Sequence, residues 1–330
     1  MKSMEAANVR ASGFDYNAAF SRNLGLVTEE EQERLHNICV GLPGLGGVGG
    51  SHLQALARLG IGKFHLSDLD TFDVVNFNRQ LGADMRTVSR PKLDVMAEAA
   101  LAINPDATVE RFPGGINAVN MGAFLDGVDV VVDGLEFFAI ETRRLLFKAC
   151  RERGIPVITA GPIGYGAAVL VFTPNGMSFD EYFRIEDGMT KTEQLMAFGF
   201  GLAPGMGGGV DPKYVDFEKQ KGPALISACF MCSAAAATEV LKLVCGRGVP
   251  AIAPNGIYMD PYRIRMGKLR PKPSLANGIV GKIIRFVAFR RFPALRAMHE
   301  RELALRGGAE TVGNPAEGWT GEVELGQTRE

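Results

Sequence analysis

The sequence predicts an α/β protein in which a mainly parallel sheet carries helices on both faces. Two observations support this: short apolar runs alternate with longer helical patterns, and glycine-rich connections separate them. The predicted strands are 38–42, 64–69, 128–132, 155–159, 167–172 and 256–266. The predicted helices are a segment ending near 59, then 91–103, 139–153 and 224–245. Such alternation is typical of parallel sheets, because parallel strands need long crossover connections.

The composition is that of a globular chain without a strong charge bias. Its 330 residues are 46% hydrophobic and 22% charged, with a net charge of -1, which fits about two domains or one large one. The charge gives no reason to expect a nucleic-acid partner. The five cysteines are an odd number, so no disulfide framework is predicted. The charged N-terminus predicts no secretory signal. Together these features predict a cytoplasmic protein. Finding no run of roughly 18 apolar residues, we expect no membrane-spanning helix.

The chain divides into five segments by composition. Residues 1–36 are an arm and a polar helix, 37–172 a first α/β part, 173–222 an extended crossover or lid, 223–272 a return to the same domain, and 273–330 a basic amphipathic extension with an acidic tail. The tail, residues 307–330, is rich in glycine and acidic residues and is predicted to be disordered.

A glycine-rich loop follows the first predicted strand and opens a helix. Its glycines are Gly44, Gly46, Gly47 and Gly49. Backbone N–H groups at such a loop form an anion site, where a phosphate approaches bare backbone. The loop also matches the dinucleotide pattern G-x-G-x-x-G, and Asp68 lies near the place of a ribose-binding acid. The loop alone therefore indicates a Rossmann-like nucleotide-binding part and leaves NAD or FAD open beside ATP.

Polar residues after the second predicted strand help to decide which of these nucleotides is bound. They are Asp68-Leu69-Asp70, Asn76-Phe77-Asn78-Arg79-Gln80 and Arg90-Pro91-Lys92. Together with Ser21-Arg22-Asn23 near the start and Tyr258-Met259-Asp260 in the last strand, they resemble the ThiF/MoeB/HesA family, relatives of the adenylation domains of ubiquitin-activating enzymes. The resemblance covers roughly residues 20 to 266. It implies an ATP-dependent adenylyltransferase that activates a carboxylate as an acyl-AMP and releases pyrophosphate.

The resemblance also implies roles for single residues. Asp68 and Asp70 would hold ribose or adenosine hydroxyls, Asn76 and Arg79 the phosphates, Gln80 the local geometry, and Lys92 the phosphate chain. The charges fit independently, because ATP carries about four negative charges and attack on its α-phosphorus needs cations. Dinucleotide dehydrogenases have no comparable need at this place.

Arg22 matches an arginine that, in family members, reaches across a dimer interface to the γ-phosphate. The resemblance therefore implies a homodimer in which Arg22 is catalytic. The alternative is a solvated arginine on a polar helix.

The magnesium site implied by the resemblance falls after the fourth strand. The family places an aspartate there in a Leu-Asp-Asn or Thr-Asp-Asn setting, whereas this chain reads Asp133-Gly134-Leu135-Glu136. Glu136 occupies the matching position and can ligate Mg²⁺ through oxygen, although its reach differs. Asp133 is the second candidate. The cofactors expected are ATP and Mg²⁺.

Cys229 and Cys232 form a single C-x-x-C pair inside an apolar helical pattern. Family members with a structural zinc carry two such pairs, and two ligands cannot close a tetrahedral site. We therefore predict no zinc and assign both cysteines to the core. Residues 161–222 contain no cysteine, so a thioester stage on this chain is not expected. Direct capture of the acyl-AMP by an external nucleophile is the simpler scheme; dehydration or ring formation on a small or RNA-borne carboxylate is the alternative.

The C-terminal segment 279–292 interleaves apolar residues with lysine and arginine, ahead of a break at Pro293. Such a helix can lie on an anionic membrane or hold an acidic partner. The favoured alternative is that its apolar face packs on the main domain and its cations are solvated.

The sequence leaves the acyl substrate open. It can be the C-terminus of a ubiquitin-like or carrier protein, a peptide or a small acid. Two other functions also stay open: an NAD(P)- or FAD-dependent oxidoreductase, and a nucleotide-binding scaffold without turnover.

Overall fold

The computed structural model of the chain describes residues 13–203, 210–275 and 278–311. Residues 1–12 of the expected arm, 204–209 of the expected lid, 276–277 of the basic extension and 312–330 of the acidic tail lie outside these ranges. Residues 307–311, which the sequence predicts to belong to a disordered tail, are helical.

A sheet of eight strands organises the described residues, in the order β3-β2-β1-β4-β5-β6-β7-β8. The strands are β1 Cys39–Pro43, β2 Lys63–Ser67, β3 Thr108–Phe112, β4 Val130–Asp133, β5 Val157–Ile163, β6 Gly166–Phe172, β7 Gly256–Asp260 and β8 Arg265–Leu269. The first five pair in parallel, whereas β6, β7 and β8 join antiparallel. The predicted α/β fold with a mainly parallel sheet is confirmed.

Helices cover both faces of this sheet. They are α1 Tyr16–Phe20, α2 Glu29–Asn37, α3 Gly47–Arg58, α4 Lys92–Ile103, α5 Met121–Phe124, α6 Ile140–Glu152, α7 Phe179–Phe183, α8 Lys191–Leu202, α9 Ile226–Cys245, α10 Gly278–Arg291 and α11 Pro293–Thr311. Side chains alternate across a strand, so Val131 of β4 joins the core beneath α6 and α8 while Val130 and Val132 join the core beneath α3 and α9. Burial on both faces explains why this strand is apolar throughout.

Three parts of the fold differ from the sequence-based expectation. The predicted strand 256–266 is two strands, because a 3₁₀ turn at Pro261–Arg263 and a left-handed Ile264 (φ 51°) reverse the chain. The expected lid contains two helices, α7 and α8, each opened by a capping box. Strand β3 was not predicted, because at the sheet edge its side chains are mostly exposed and polar.

Helix α9 is long and apolar enough, by length and composition, to cross a membrane. It packs against α3, β5 and β6. Its Glu239 is 1% exposed and accepts hydrogen bonds from the Lys242 ammonium and the Ala251 backbone N–H. These contacts are those of a core helix.

The two C-terminal helices pack on the α6–α8 side of the sheet. Ile284, Ala288 and Phe289 of α10 contact the core there, and Leu295 of α11 is 4% exposed. One face of α10 therefore packs on the main domain, as the favoured alternative expected.

Candidate nucleotide-binding site

The site lies where the order of the parallel strands reverses. From the central strand β1 the chain passes to β2 on one side, and β4 lies on the other. The loops after β1 and β4 therefore leave toward opposite faces and open a crevice at the carboxyl ends of the strands, where open α/β sheets bind ligands. The glycine loop forms one wall of this crevice and residues 133–139 form the other.

The glycine loop packs against the opposite wall without room for side chains. A Cβ on Gly44, whose φ is +86°, would lie 2.3 Å from the Gly134 carbonyl oxygen, and a Cβ on Gly49 would lie 1.8 Å from the Gly44 oxygen. Gly46 is the N-cap of α3, and no side chain caps it. The first N–H groups of a helix have no intrahelical partner, so the start of α3 can bind an anion through backbone alone.

This close packing gives a testable expectation for Gly49→Ala. The added methyl must displace backbone, so we expect a loss of about 1–3 kcal/mol in the free energy of unfolding and nucleotide affinity lower by roughly tenfold or more. Chemical denaturation and calorimetric titration measure both. Gly114→Ala is the matched control, because a Cβ there meets no atom within 4 Å. Equal behaviour of the two variants would exclude the packing role.

Asp68 joins the end of β2 to the glycine loop. Its Oδ2 accepts the Leu45 N–H at 2.6 Å and its Oδ1 accepts the Asp70 N–H at 2.8 Å. Burial raises the pKa of this carboxyl above its ordinary value, and the two backbone N–H groups oppose that shift. A carboxylate oxygen has two lone pairs, so Asp68 keeps capacity to accept a ligand hydroxyl.

Lys92 is the first residue of α4 and is held in place by Asp70. Its ammonium lies 2.9 Å from Asp70 Oδ2, and its backbone N–H donates to the Asp70 carbonyl at 2.9 Å. The lysine side chain is 5% exposed and the aspartate 50%. A cation placed with this little freedom is preorganised for an anionic ligand, and such a ligand would compete with Asp70 for it.

Asn76, Arg79 and Gln80 lie on a short turn after β2 that faces the glycine loop. Asn76 Oδ1 accepts the Asp73 N–H and so fixes the turn. The Arg79 stem would lie 3.3 Å from a Cβ on Gly47, and its Nη1 donates to Val75 and Asn78 oxygens at 3.1 and 3.0 Å. Gln80 is 3% exposed, and its Oε1 has no partner in the described residues. A buried unpaired oxygen is costly, so this one marks a place for a ligand or water.

Both carboxylate oxygens of Asp133 accept hydrogen bonds from the protein. Its Oδ2 accepts from Arg143 Nε at 2.7 Å and from the Thr159 hydroxyl at 2.9 Å, and its Oδ1 accepts the Leu135 N–H at 3.1 Å. The side chains of this ion pair are 1% and 3% exposed. Asp133 therefore orders this wall of the crevice, and its contact with the nucleotide or the metal stays a prediction.

Arg143 also fixes the backbone of the loop that follows β4. Its Nη2 donates to the carbonyl oxygens of Leu135 at 2.7 Å and Glu136 at 3.2 Å, and its guanidinium lies 4.6 Å from the Phe198 ring centre. No role could be assigned to Arg143 from the sequence, because its contacts with Asp133, Leu135 and Glu136 form only in the fold.

Glu136 stands at the opening of the crevice. It is exposed, and its Oε1 would lie 3.3 Å from a Cβ on Gly46. The described residues contain no group of three or more His, Cys, Asp or Glu side chains that could hold a metal. Mg²⁺ is usually held by one or two carboxylates and the substrate phosphates, so a single glutamate beside an anion-binding loop fits this ion.

Cys229 lies unexpectedly close to the glycine loop. Its Sγ would lie 3.3 Å from a Cβ on Gly47, and the thiol is 1% exposed. Burial raises its pKa to about 11. Cys232 is also buried. The first turn of α9 therefore supports the loop through a neutral thiol, a contact that the core assignment did not locate.

Arg22 lies away from the site of its own chain. It is exposed on the 3₁₀ helix Ser21–Asn23, and the adjoining Asn23 bonds the Leu59 carbonyl. Leu59 closes α3 at the end opposite the glycine loop, and a helix of this length spans about 18 Å. Arg22 therefore lies near the end of α3 that is remote from the glycine loop of its own chain.

The fold and the site define a nucleotide-binding α/β protein with two cations beside an uncapped glycine loop. The chain belongs to the ThiF family, whose family model matches residues 20–277. The resemblance found in the sequence is thereby confirmed.

Two curated relatives illustrate the range of the family. The tRNA threonylcarbamoyladenosine dehydratase of Bacillus subtilis is 37% identical over 142 residues, which are 43% of this chain and 55% of that protein. The molybdopterin-synthase adenylyltransferase of Salmonella typhimurium is 32% identical over 144 residues, 44% of this chain and 57% of that protein. The chain spans about half the length of the curated relatives it matches.

Solved structures show the same fold. Escherichia coli MccB with MccA-N7isoASN superposes with a TM-score of 0.60 at 20% identity, covering 82% of this chain and 76% of that one. PaaA superposes with a TM-score of 0.59 at 20% identity, covering 79% and 77%.

Proposed function

We propose that this protein is an ATP-dependent adenylyltransferase that converts a carboxylate into an acyl-AMP and releases pyrophosphate. The observation that carries the proposal is the placement of Arg79 and Lys92 beside the uncapped start of α3, at the point where the strand order reverses. Membership of the ThiF family supports it, and so do relatives named as adenylyltransferases.

In this proposal different residues of the chain bind different parts of the nucleotide. The glycine loop, Arg79 and Lys92 bind the phosphates, with Asn76 fixing the turn that presents Arg79. Asp68 and Asp70 accept ribose or adenosine hydroxyls. Gln80 lies beside the loop, its amide nitrogen 3.7 Å from a Cβ built on Gly46, and its buried unpaired oxygen accepts a ligand or water donor.

The reaction follows from this placement. An oxygen of the substrate carboxylate attacks the α-phosphorus, the bond from that phosphorus to the bridging oxygen breaks, and pyrophosphate leaves with the electron pair. Negative charge grows on the leaving group, so cations already in place stabilise the transition state more than the bound ground state. Lys92 is held in place by α4 and Asp70 before the nucleotide binds, so only its contact with Asp70 has to be exchanged for one with the phosphates.

Glu136 would hold Mg²⁺ together with the phosphates. When bound, the ion would neutralise part of the charge on the departing pyrophosphate. Arg143 then acts as a positioning residue, because it fixes the backbone of Leu135 and Glu136.

We further propose a homodimer in which Arg22 reaches the partner's phosphates. Its distance from the glycine loop of its own chain supports this arrangement. Apolar side chains exposed near it and beside the site offer an interface: Leu26 is 82%, Val75 63% and Val74 56% exposed.

The acyl substrate is proposed to be the carboxylate of a carrier protein or peptide. Relatives named for the sulfur carrier protein ThiS and for SAMP, and an MccB structure with MccA, support this class. The tRNA threonylcarbamoyladenosine dehydratases favour a second candidate, dehydration of an RNA-borne carboxylate. The net charge of -1 favours the protein or peptide. We place the enzyme in the cytoplasm.

Carboxylate-dependent exchange of labelled pyrophosphate into ATP tests the proposal. We expect exchange with MgATP and a carrier protein or peptide ending in a free carboxylate, and none with the amidated form of the same tail. Binding of NAD or FAD with spectral reduction, and no exchange, would favour the oxidoreductase. ATP binding without exchange for any carrier, peptide or small acid would favour the scaffold.

A further inference from the structure

The second apolar surface of α10 is uncovered in the described structure. Ile279 is 78%, Ile283 56% and Phe286 66% exposed, and Val280 beside them is 52% exposed. Residues three and four apart share one face of a helix, so the first three form a continuous stripe along about two turns. The opposite side of α10 packs on the core through Ile284, Ala288 and Phe289. The helix is therefore apolar on two sides, and one of them is packed against the core.

The charged side chains of α10 itself all have one sign. Helix α10 carries four cations, Lys282, Arg285, Arg290 and Arg291, and no Asp or Glu occurs between Asp260 and Glu300. Arg285 belongs to the packed side, where it meets Glu193 at 3.1 Å. Lys282 and Arg290 border the stripe and have no partner among the residues that the structure describes.

An exposed apolar stripe bordered by cations fits one class of binding partner, an anionic membrane surface. An interfacial helix on a membrane has apolar residues on one face, with cations beside them that meet anionic lipid headgroups. A second copy of the chain fits less well, because a two-fold pairing of identical surfaces would bring the same cations together.

We propose that α10 docks this protein onto an anionic membrane surface. Ile279, Ile283 and Phe286 enter the boundary between headgroups and acyl chains, and Lys282 and Arg290 contact lipid phosphates. The packed side of α10 keeps the main domain attached, so the protein lies on the membrane without crossing it. Membrane docking through α10 does not require the adenylation reaction proposed above.

Sedimentation of the full chain with lipid vesicles tests the proposal. We expect binding to phosphatidylcholine vesicles that contain about a third phosphatidylglycerol, weak binding to phosphatidylcholine alone, and a decline as salt rises. Phe286→Asp removes the centre of the stripe, and Lys282→Glu with Arg290→Glu reverses its border. Each should lower the partition coefficient by roughly tenfold or more.

Matched controls distinguish binding through this stripe from non-specific binding to vesicles. Val119→Asp changes a residue that is 96% exposed elsewhere, and Arg86→Glu reverses a cation whose side chain is 89% exposed; both should bind like the wild type. All positions changed are exposed, and thermal unfolding verifies that each variant folds. Equal binding by all variants would overturn the proposal. So would a wild-type dimer that Phe286→Asp separates without any vesicle binding, or vesicle binding that begins only after residues 312–330 are removed.

Discussion

Replacing either cation of the site should nearly abolish adenylation. We expect Lys92→Ala and Arg79→Ala each to lower the rate of carboxylate-dependent pyrophosphate exchange by about a hundredfold or more, the effect of losing one preorganised transition-state donor. The physical reason is that both groups neutralise charge that develops on the phosphates. The loss should fall mainly on kcat, because the interaction strengthens in the transition state.

The controls for this experiment come from the same chain. Arg86→Ala removes an exposed arginine that pairs with Asp84 outside the crevice, so its exchange rate should match the wild type. Because Lys92 is buried, Lys92→Met keeps most of the apolar stem and removes only the charge; it should be as inactive as Lys92→Ala while unfolding at nearly the wild-type temperature. Activity within threefold of the wild type in either charge variant contradicts the assigned roles.

Breaking the ion pair behind the site should cost the most stability. We expect Arg143→Met to lower the free energy of unfolding by about 3–5 kcal/mol, because it leaves the Asp133 carboxylate buried without a counter-charge. Urea denaturation at neutral pH measures this loss. Exchange activity of the folded fraction should fall as well, because Glu136 loses the guanidinium that holds its backbone.

A double variant distinguishes the ion pair from simple packing. Arg143→Met combined with Asp133→Asn removes both charges, and we expect it to recover more than half of the lost stability. Arg144→Met on the same helix is the matched control: its partners Asp180 and Asp187 are 41% and 99% exposed, so the loss should stay within about 1 kcal/mol. An Arg143→Met protein as stable as the Arg144→Met protein would contradict the assignment.

The sequence predicted those parts of the site that are local in the chain. The glycine loop follows β1 directly, and the turn carrying Asn76, Arg79 and Gln80 and the start of α4 at Lys92 both lie in the connection after β2. Strand ends of a parallel sheet meet at one edge, so these parts could be placed together from the sequence. The fold class could be predicted for the same reason, because the apolar runs of β1, β2 and β4 are short and bounded by glycine or polar residues.

Contacts between distant segments could not be predicted in this way. Arg143 contacts Asp133 across a loop, and Cys229 of α9 packs beside a glycine loop some 180 positions earlier in the chain. Neither contact can be recognised from the residues next to it in the sequence. Asp70 was assigned to ligand hydroxyls, and its ion pair with Lys92 appears only in the fold. The helices α7 and α8 did leave a signal, since Ser178 and Thr190 each precede a glutamate by three residues.

Crystals grown with a non-hydrolysable ATP analogue and NAD present together offer the most direct measurement. We expect the triphosphate in the crevice, with its oxygens on the backbone N–H groups at the start of α3 and within hydrogen-bond distance of the Arg79 guanidinium and the Lys92 ammonium. Nicotinamide occupying that crevice, with both cations turned to solvent or to protein carboxylates, would contradict the account.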